Sequence, residues 1–391
     1  MPHYKFFSTS APGGSETSRI YSSRIPAAAA AALLHESLSQ YDDDDGEEEE
    51  DSDGSYEGDD EEGDDMDEDE VKEKGEQQTK KQLLCKRIYD SDEKLSVLND
   101  LSLTDLNSFI PVVRSQIFIE ALCHGNLSED EAVNISRIFK NSLTTEPLPV
   151  KSRHREQITC FPLSAKLVRV VNVKNKSETN SVVELYYQIE PEEAQSTKMK
   201  AMLDLFHEII EEPLFNQLRT KEQLGYVECG PRLTYRVHGF CFCVQSSKYG
   251  PVHLFGRIDN FIKDIEGLLE QLDEESFGDY RSGVIARLLE KDPSLLSETN
   301  ELWSQIVDKR YMFVLPQRSR RAKKHREKKD VISWYKTYFR ESSPKCRRLA
   351  VRVWGCDTNM KETQTDPKSV QQVIADAVAF KSTSQFYPSL C

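Results

Sequence analysis

Two side chains in this 391-residue chain have the types and spacing to stabilise a developing oxyanion: Arg219 and Tyr226. They stand near the end of the run Glu211 to Tyr226, EEPLFNQLRTKEQLGY. A guanidinium and a phenol placed beside a reacting carbonyl both donate hydrogen bonds as negative charge builds on its oxygen. The plain alternative is an Arg in a surface ion pair and a Tyr in a strand core, and chemistry alone favours it. Metal chemistry has less support. Two His four residues apart on a helix share one face and can grip zinc. The eight His (His3, His35, His124, His154, His207, His238, His253 and His325) include no such pair. His207 and Glu208 lie on a helix, yet position 211 is Glu, so His207 reads as a helix-surface or core residue. Cys123 and His124 are adjacent, point apart in a strand and read as structural.

The elements around the run must position the pair. Pro213 suits the first turn of a short second helix, where a missing N–H costs little. Leu214, Phe215 and Leu218 give that helix an apolar face, and Gly225 marks the turn into a strand. Upstream, an amphipathic helix spans about Glu192 to Glu211, with Met199, Met202, Leu205, Phe206, Ile209 and Ile210 on its apolar side. Before it, Lys166–Val173 and Val182–Ile189 alternate and read as a hairpin. After it come a break at Gly230–Pro231 and a strand Tyr235–Ser246. Helices follow at Val252–Leu272, Ser276–Glu290 and Glu298–Val307, then a helix Val331–Phe339 and a strand Arg348–Trp354. Nearer the start, Ser102 with Asp105 opens a helix that should end near Pro111. Gln116–Leu122 is strand-like, and Ser128 with Glu131 caps a helix running to about Lys140. This order implies an α+β fold, an antiparallel-rich sheet covered by helices.

Composition divides the chain sharply. Residues 42–70 hold 21 Asp or Glu and no Lys or Arg, so removing them turns the net charge of −16 into +5. Such a segment cannot bury enough to fold alone; it reads either as a solubilising linker, which composition alone favours, or as a tract that attracts basic peptides or proteins. Residues 1–41 are rich in Ser and Ala, with more Lys and Arg than acid. They read as a disordered leader, one that resembles an organelle transit peptide. Residues 314–329, VLPQRSRRAKKHREKK, are densely basic. Three readings stay open: a nuclear signal or nucleic-acid patch, a partner for the acidic tract, and a local reading-frame error. Nine Cys are scattered without Cys-x-x-Cys spacing, and Cys241 and Cys243 alternate on one strand face. No apolar run is long enough to span a membrane. The expected compartment is a reducing one, cytoplasmic, or mitochondrial or plastid if the leader is a transit peptide.

The run PLFNQLRTKEQLGY, followed by a strand, resembles the C-terminal half of the pitrilysin/insulinase family of zinc metallopeptidases. ALCHGNLSEDEA at residues 121–132 is similar to the close of that family's third domain, and the acidic tract is similar to that of the family's nardilysin branch. The resemblance implies four related α/β domains in two halves around a chamber. By residue match, Arg219 and Tyr226 would reach from the C-terminal half to substrate held at a zinc site in the N-terminal half. It also implies this division: 1–41 leader; 42–80 acidic low-complexity linker; 81–150 tail of the third domain; 151–391 fourth domain.

The chain departs from the family where chemistry matters most. The family's His-x-x-Glu-His motif is missing, so zinc, the family's cofactor, is not expected to bind here. The chain reads as internally shortened, without the zinc-bearing portion. Tyr226 is followed by one Val before Glu228 where the family strand has one more residue, a change that flips later side chains unless a bulge absorbs it. Three functions arise as expectations. One is the substrate-binding C-terminal half of a metalloendopeptidase, inactive alone and acting on peptides, basic ones included. The second is a non-catalytic binding module or partner subunit that docks to a zinc-bearing half from a homologue. The third is an acidic-tract chaperone for basic proteins. Neither membrane nor nucleic acid is an expected partner.

Overall fold

The computed structural model describes residues 4–9, 19–23, 78–89, 91–143, 145–192, 198–290, 292–311, 313, 327–356 and 371–388. The acidic tract and residues 314–326 of the basic run lie outside them. The chain divides into two compact units. Strands β1 (Tyr4–Thr9) and β2 (Arg19–Ser23), from the stretch expected to be a disordered leader, pair antiparallel in the first unit. Helix α1 (Ser91–Leu98) precedes α2 (Leu103–Ser115). Both expected capping boxes form. At the head of α2 the Ser102 N–H donates to Asp105 Oδ2 at 2.9 Å, and the Asp105 N–H donates back to Ser102 Oγ at 3.2 Å. Ser128 and Glu131 do the same for α3 (Glu129–Ser142).

Two expectations in this unit are corrected. Helix α2 continues through Pro111, and with no residue of α2 buried the proline ring meets solvent rather than packed neighbours. The single strand expected over Gln116–Leu122 is two: β3 (Gln116–Ile117), parallel to β5 (Glu146–Pro147), and β4 (Glu120–His124), parallel to β1. Residues 294–303 also belong to this unit, although the sequence assigned them to the last domain.

Among the described residues, the second unit contains 78–89, 155–192, 198–290, 292–293, 304–311, 313, 327–356 and 371–388. Residues 78–89 thus pack here, not with the domain tail that was expected to begin at 81. Beyond β6 (Thr159–Cys160), which pairs with a short strand Gln385–Phe386, the main sheet is built from β7 (Lys166–Asn172), β8 (Ser181–Pro191), β9 (Tyr226–Thr234), β10 (Val237–Ser246), β11 (Arg348–Trp354) and β12 (Gln372–Val373). Their order in the sheet is β12-β7-β11-β8-β10-β9. The expected β7–β8 hairpin is therefore absent: β11 lies between them, parallel to β7 and antiparallel to β8. Every residue of β11 is buried, which suits a central strand covered on both faces.

Helices α4 (Lys198–Leu214) and α5 (Pro251–Gln271) cover one face of this sheet. In α5, Leu254, Phe255, Ile258, Phe261, Ile262, Ile265 and Leu269 recur at three- and four-residue spacing and are all buried. Helices α6 (Glu274–Leu289) and α8 (Lys328–Tyr338) add Phe277, Val284, Trp334 and Tyr335 to the same core. Helix α7 (Leu295–Val307) lies between them in sequence. Phe206 sits at the centre, fully buried, its ring centroid 5.3 Å from Phe240, 5.1 Å from Trp334 and 5.0 Å from Phe339.

The opposite face is covered by a helix at 78–84. Its Leu83 and Leu84 pack with Phe161, Leu167, Tyr186 and Leu349. Lys80 is buried there in an ion pair with Glu184. Alternation along β10 separates the faces as the sequence implied: Phe240 and Phe242 join the helical core, Cys241 and Cys243 the other.

Candidate functional site

The run around Arg219 folds differently from its sequence reading. Pro213 does not start a new helix; it lies inside α4, one residue before the end. A proline there cannot donate to the carbonyl four residues back, and the helix widens directly after it into a π turn, Phe215–Lys221. The Glu222 N–H donates to Gln217 O at 3.1 Å, the five-residue step of that geometry. Leu218 and Leu224 remain fully buried and pin the segment to the core. The widening turns Phe215, Arg219 and Glu222 away from a simple helical face.

The reversal into β9 uses two left-handed residues, Gln223 at φ 52° and Gly225 at φ 131°. Gly225 admits no side chain: a Cβ would lie 2.2 Å from the Gln245 carbonyl oxygen. β9 then runs unbroken past Gly230–Pro231, where a break was expected. It is the last strand of the sheet, and an edge strand tolerates a residue without an N–H. Its pairing with β10 holds one register from Tyr226↔Gln245 to Val237↔Thr234, so no bulge interrupts β9.

Arg219 reaches across this turn to the backbone just before Tyr226. Arg219 Nη1 donates to the carbonyl of Gly225, the residue before Tyr226, at 3.0 Å. The Arg219 guanidinium also lies 5.5 Å over the ring of Phe215. Both contacts hold an otherwise exposed side chain in one place. Tyr226 is 55% exposed. Its neighbours Val227 and Cys229 enter the helical core, so Tyr226 lies on the other face of the sheet with Glu228 and Arg232. Phe215, Arg219 and Tyr226 are all exposed, and the Arg219 guanidinium bridges the Phe215 ring and the backbone next to Tyr226. A guanidinium and a phenol are both hydrogen-bond donors. Phe215 was read as part of a buried helix face; its 48% exposure follows from the π turn, which sequence periodicity does not announce.

His207 and His124 each have a defined neighbour in the fold. His207 Nε2 stands 3.7 Å from Glu211 Oε2, one helical turn on, and its ring meets Phe240 edge-on at 6.2 Å. No third donor joins them, and among the described residues no three His, Cys, Asp or Glu gather where they could hold a metal. These side chains therefore do not fit a zinc site. His124 Nδ1 is 2.7 Å from Thr299 Oγ1 within the first unit. Sequence reasoning missed the buried cluster at the end of β8. There Glu192 takes a bidentate pair from Arg310 at 2.8 and 2.5 Å, and His238 lies 4.0 Å away. Burial pushes the His238 imidazole down to about 4, a direction Glu192 opposes and Arg310 reinforces.

In sequence and fold the chain is similar to the C-terminal half of pitrilysin/insulinase-type peptidases, as the motif implied. Residues 205–303 match the family described as PQQ synthase PqqF-like, C-terminal lobe domain 4. The chain is 87% identical over 311 residues to a nardilysin-like protein of Arabidopsis thaliana, covering 79% of this chain and 30% of that one. It is 30% identical over 326 residues to human insulin-degrading enzyme, covering 78% of this chain and 31% of that protein. The crystal structure of pitrilysin superposes with a TM-score of 0.64 at 19% identity, over 78% of this chain and 31% of that one. The chain thus spans roughly 30% of the length of the relatives it matches.

Proposed function

We propose that this chain is the peptide-holding C-terminal portion of a nardilysin/insulinase-like metalloendopeptidase. Arg219 and Tyr226 bind carbonyl oxygens of the peptide and support the oxyanion that forms when a zinc-bearing half, supplied by a homologue, attacks it. The observation that carries this reading is the fixed Arg219, held by the Gly225 carbonyl and the Phe215 ring beside an exposed Tyr226. Two donors preset at a developing oxyanion are worth most when they need not reorganise. On its own the chain holds peptides without cutting them.

The test uses the purified full-length chain with a peptide carrying paired basic residues. The expected result is peptide binding without chelator-sensitive cleavage. Arg219→Ala should weaken binding about tenfold, about 1.4 kcal/mol, and Tyr226→Phe by less. Stoichiometric zinc with chelator-sensitive cleavage would show that the chain is a complete enzyme. Unchanged binding in both variants would remove the pair from the site.

A further inference from the structure

The turn that carries Arg219 is held from one side by a single carboxylate. Glu222 closes the π turn and receives a bidentate pair from Arg257 of α5, Nε to Oε2 at 2.6 Å and Nη2 to Oε1 at 2.7 Å. Gln217 Nε2 donates to the same Oε1 at 2.7 Å. One side chain thus joins the interior of the π turn, its closing residue and the neighbouring helix. A bidentate guanidinium–carboxylate pair fixes orientation as well as distance. The backbone reversal just after Glu222 needs that support. Gln223 adopts φ 52°, a conformation side-chain-bearing residues seldom take. It is immediately followed by Leu224, whose N–H donates to Leu218 O at 3.0 Å. The carbonyl that receives Arg219 belongs to the next residue, Gly225. The place of Arg219 relative to Tyr226 therefore depends on a reversal that starts at Glu222.

We infer that Glu222 and Arg257 are positioning residues for Arg219. They fix the π turn on α5 and so keep the guanidinium on the Gly225 carbonyl, where it and Tyr226 face one peptide. Neither touches the peptide. The inference rests on the peptide-holding function proposed above and names two residues that function requires beyond its contact pair.

The experiment titrates a fluorescein-labelled peptide with paired basic residues against the full-length chain and follows anisotropy. Melting temperature is recorded for every variant. Arg219→Ala is the reference, Arg257→Leu and Glu222→Gln break the pair from either side, and Arg257→Lys restores its charge. The expected result is binding about five- to tenfold weaker for Arg257→Leu and Glu222→Gln, with melting within about 2 °C of the parent, because an ion pair at the partly exposed rim of the core adds little stability. Arg257→Lys should recover part of the loss through one remaining hydrogen bond. Parent-like binding by Arg257→Leu and Glu222→Gln, while Arg219→Ala is weakened, overturns the inference and leaves the peptide-holding function standing. So do binding losses that follow falling melting temperature with Arg257→Lys no better than Arg257→Leu, since the pair would then serve only the fold. Parent-like binding by Arg219→Ala overturns the peptide-holding function itself.

Discussion

Helices α2 and α5 carry similar apolar patterns and meet opposite fates. In α5, eight residues are buried against the six-stranded sheet. In α2 none is: Leu103, Leu106, Phe109, Val112 and Val113 are all exposed, Leu103 at 72%. A capping box and an amphipathic pattern suffice to specify a helix, but most helical stability comes from what covers its apolar face. The second unit supplies that cover from within the described chain; for α2 the described residues do not.

This contrast predicts unequal responses to the same kind of mutation. Phe206→Ala removes a fully buried ring at the centre of the aromatic cluster and should cost about 3–5 kcal/mol. Chemical denaturation of the second unit's transition measures it; a loss under about 1 kcal/mol would break the picture of a tightly packed core. The next largest effect is one of pH. His238 is neutral in the fold, with its value pushed down to about 4 from the ordinary 6.5 mainly by burial. The unfolded chain takes up the proton first as pH falls. Stability is therefore full above about pH 6.5 and declines by roughly 1.4 kcal/mol per pH unit between about 6.5 and 4. His238→Gln should flatten that slope in urea unfolding at a series of pH values, and a slope equal to the parent's contradicts the account.

Smaller effects are expected in the first unit. Ser128→Ala removes one half of a capping box and should cost about 1 kcal/mol. Phe109→Ser, on the exposed face of α2, should change stability by less than about 0.5 kcal/mol and raise solubility. Light scattering with a thermal melt measures both. A large loss of stability from Phe109→Ser would mean that α2 is covered after all.

Local signals in the sequence were the readable ones. Both capping boxes, the apolar stripes of α4 and α5, the limits of β11 and the alternation of Cys241 and Cys243 come from spacing alone. The likeness to pitrilysin/insulinase-type proteins was legible in one long motif. What the sequence concealed depends on partners distant along the chain. The insertion of β11 between β7 and β8 joins strands more than 150 residues apart, and nothing in either strand announces it. Pro231 reads as a strand breaker until β9 is known to be an edge. Pro213 reads as a helix start until the π turn absorbs it. The helix at 78–84 straddles the boundary that the sequence reading drew at residue 80, because the charge of Lys80 reads as linker, yet Glu184 neutralises Lys80 inside the core. The same applies to the proposed site: Arg219 and Tyr226 are candidates from type and motif, whereas the Glu222–Arg257 pair becomes visible only in the fold.

The most direct measurement is amide hydrogen exchange on the full-length chain with and without a peptide carrying paired basic residues. The account predicts added protection over Phe215–Val227, the π turn and the start of β9, with no change over α2. Protection confined to α2 and the first unit, with exchange at Phe215–Val227 unaltered, would contradict it.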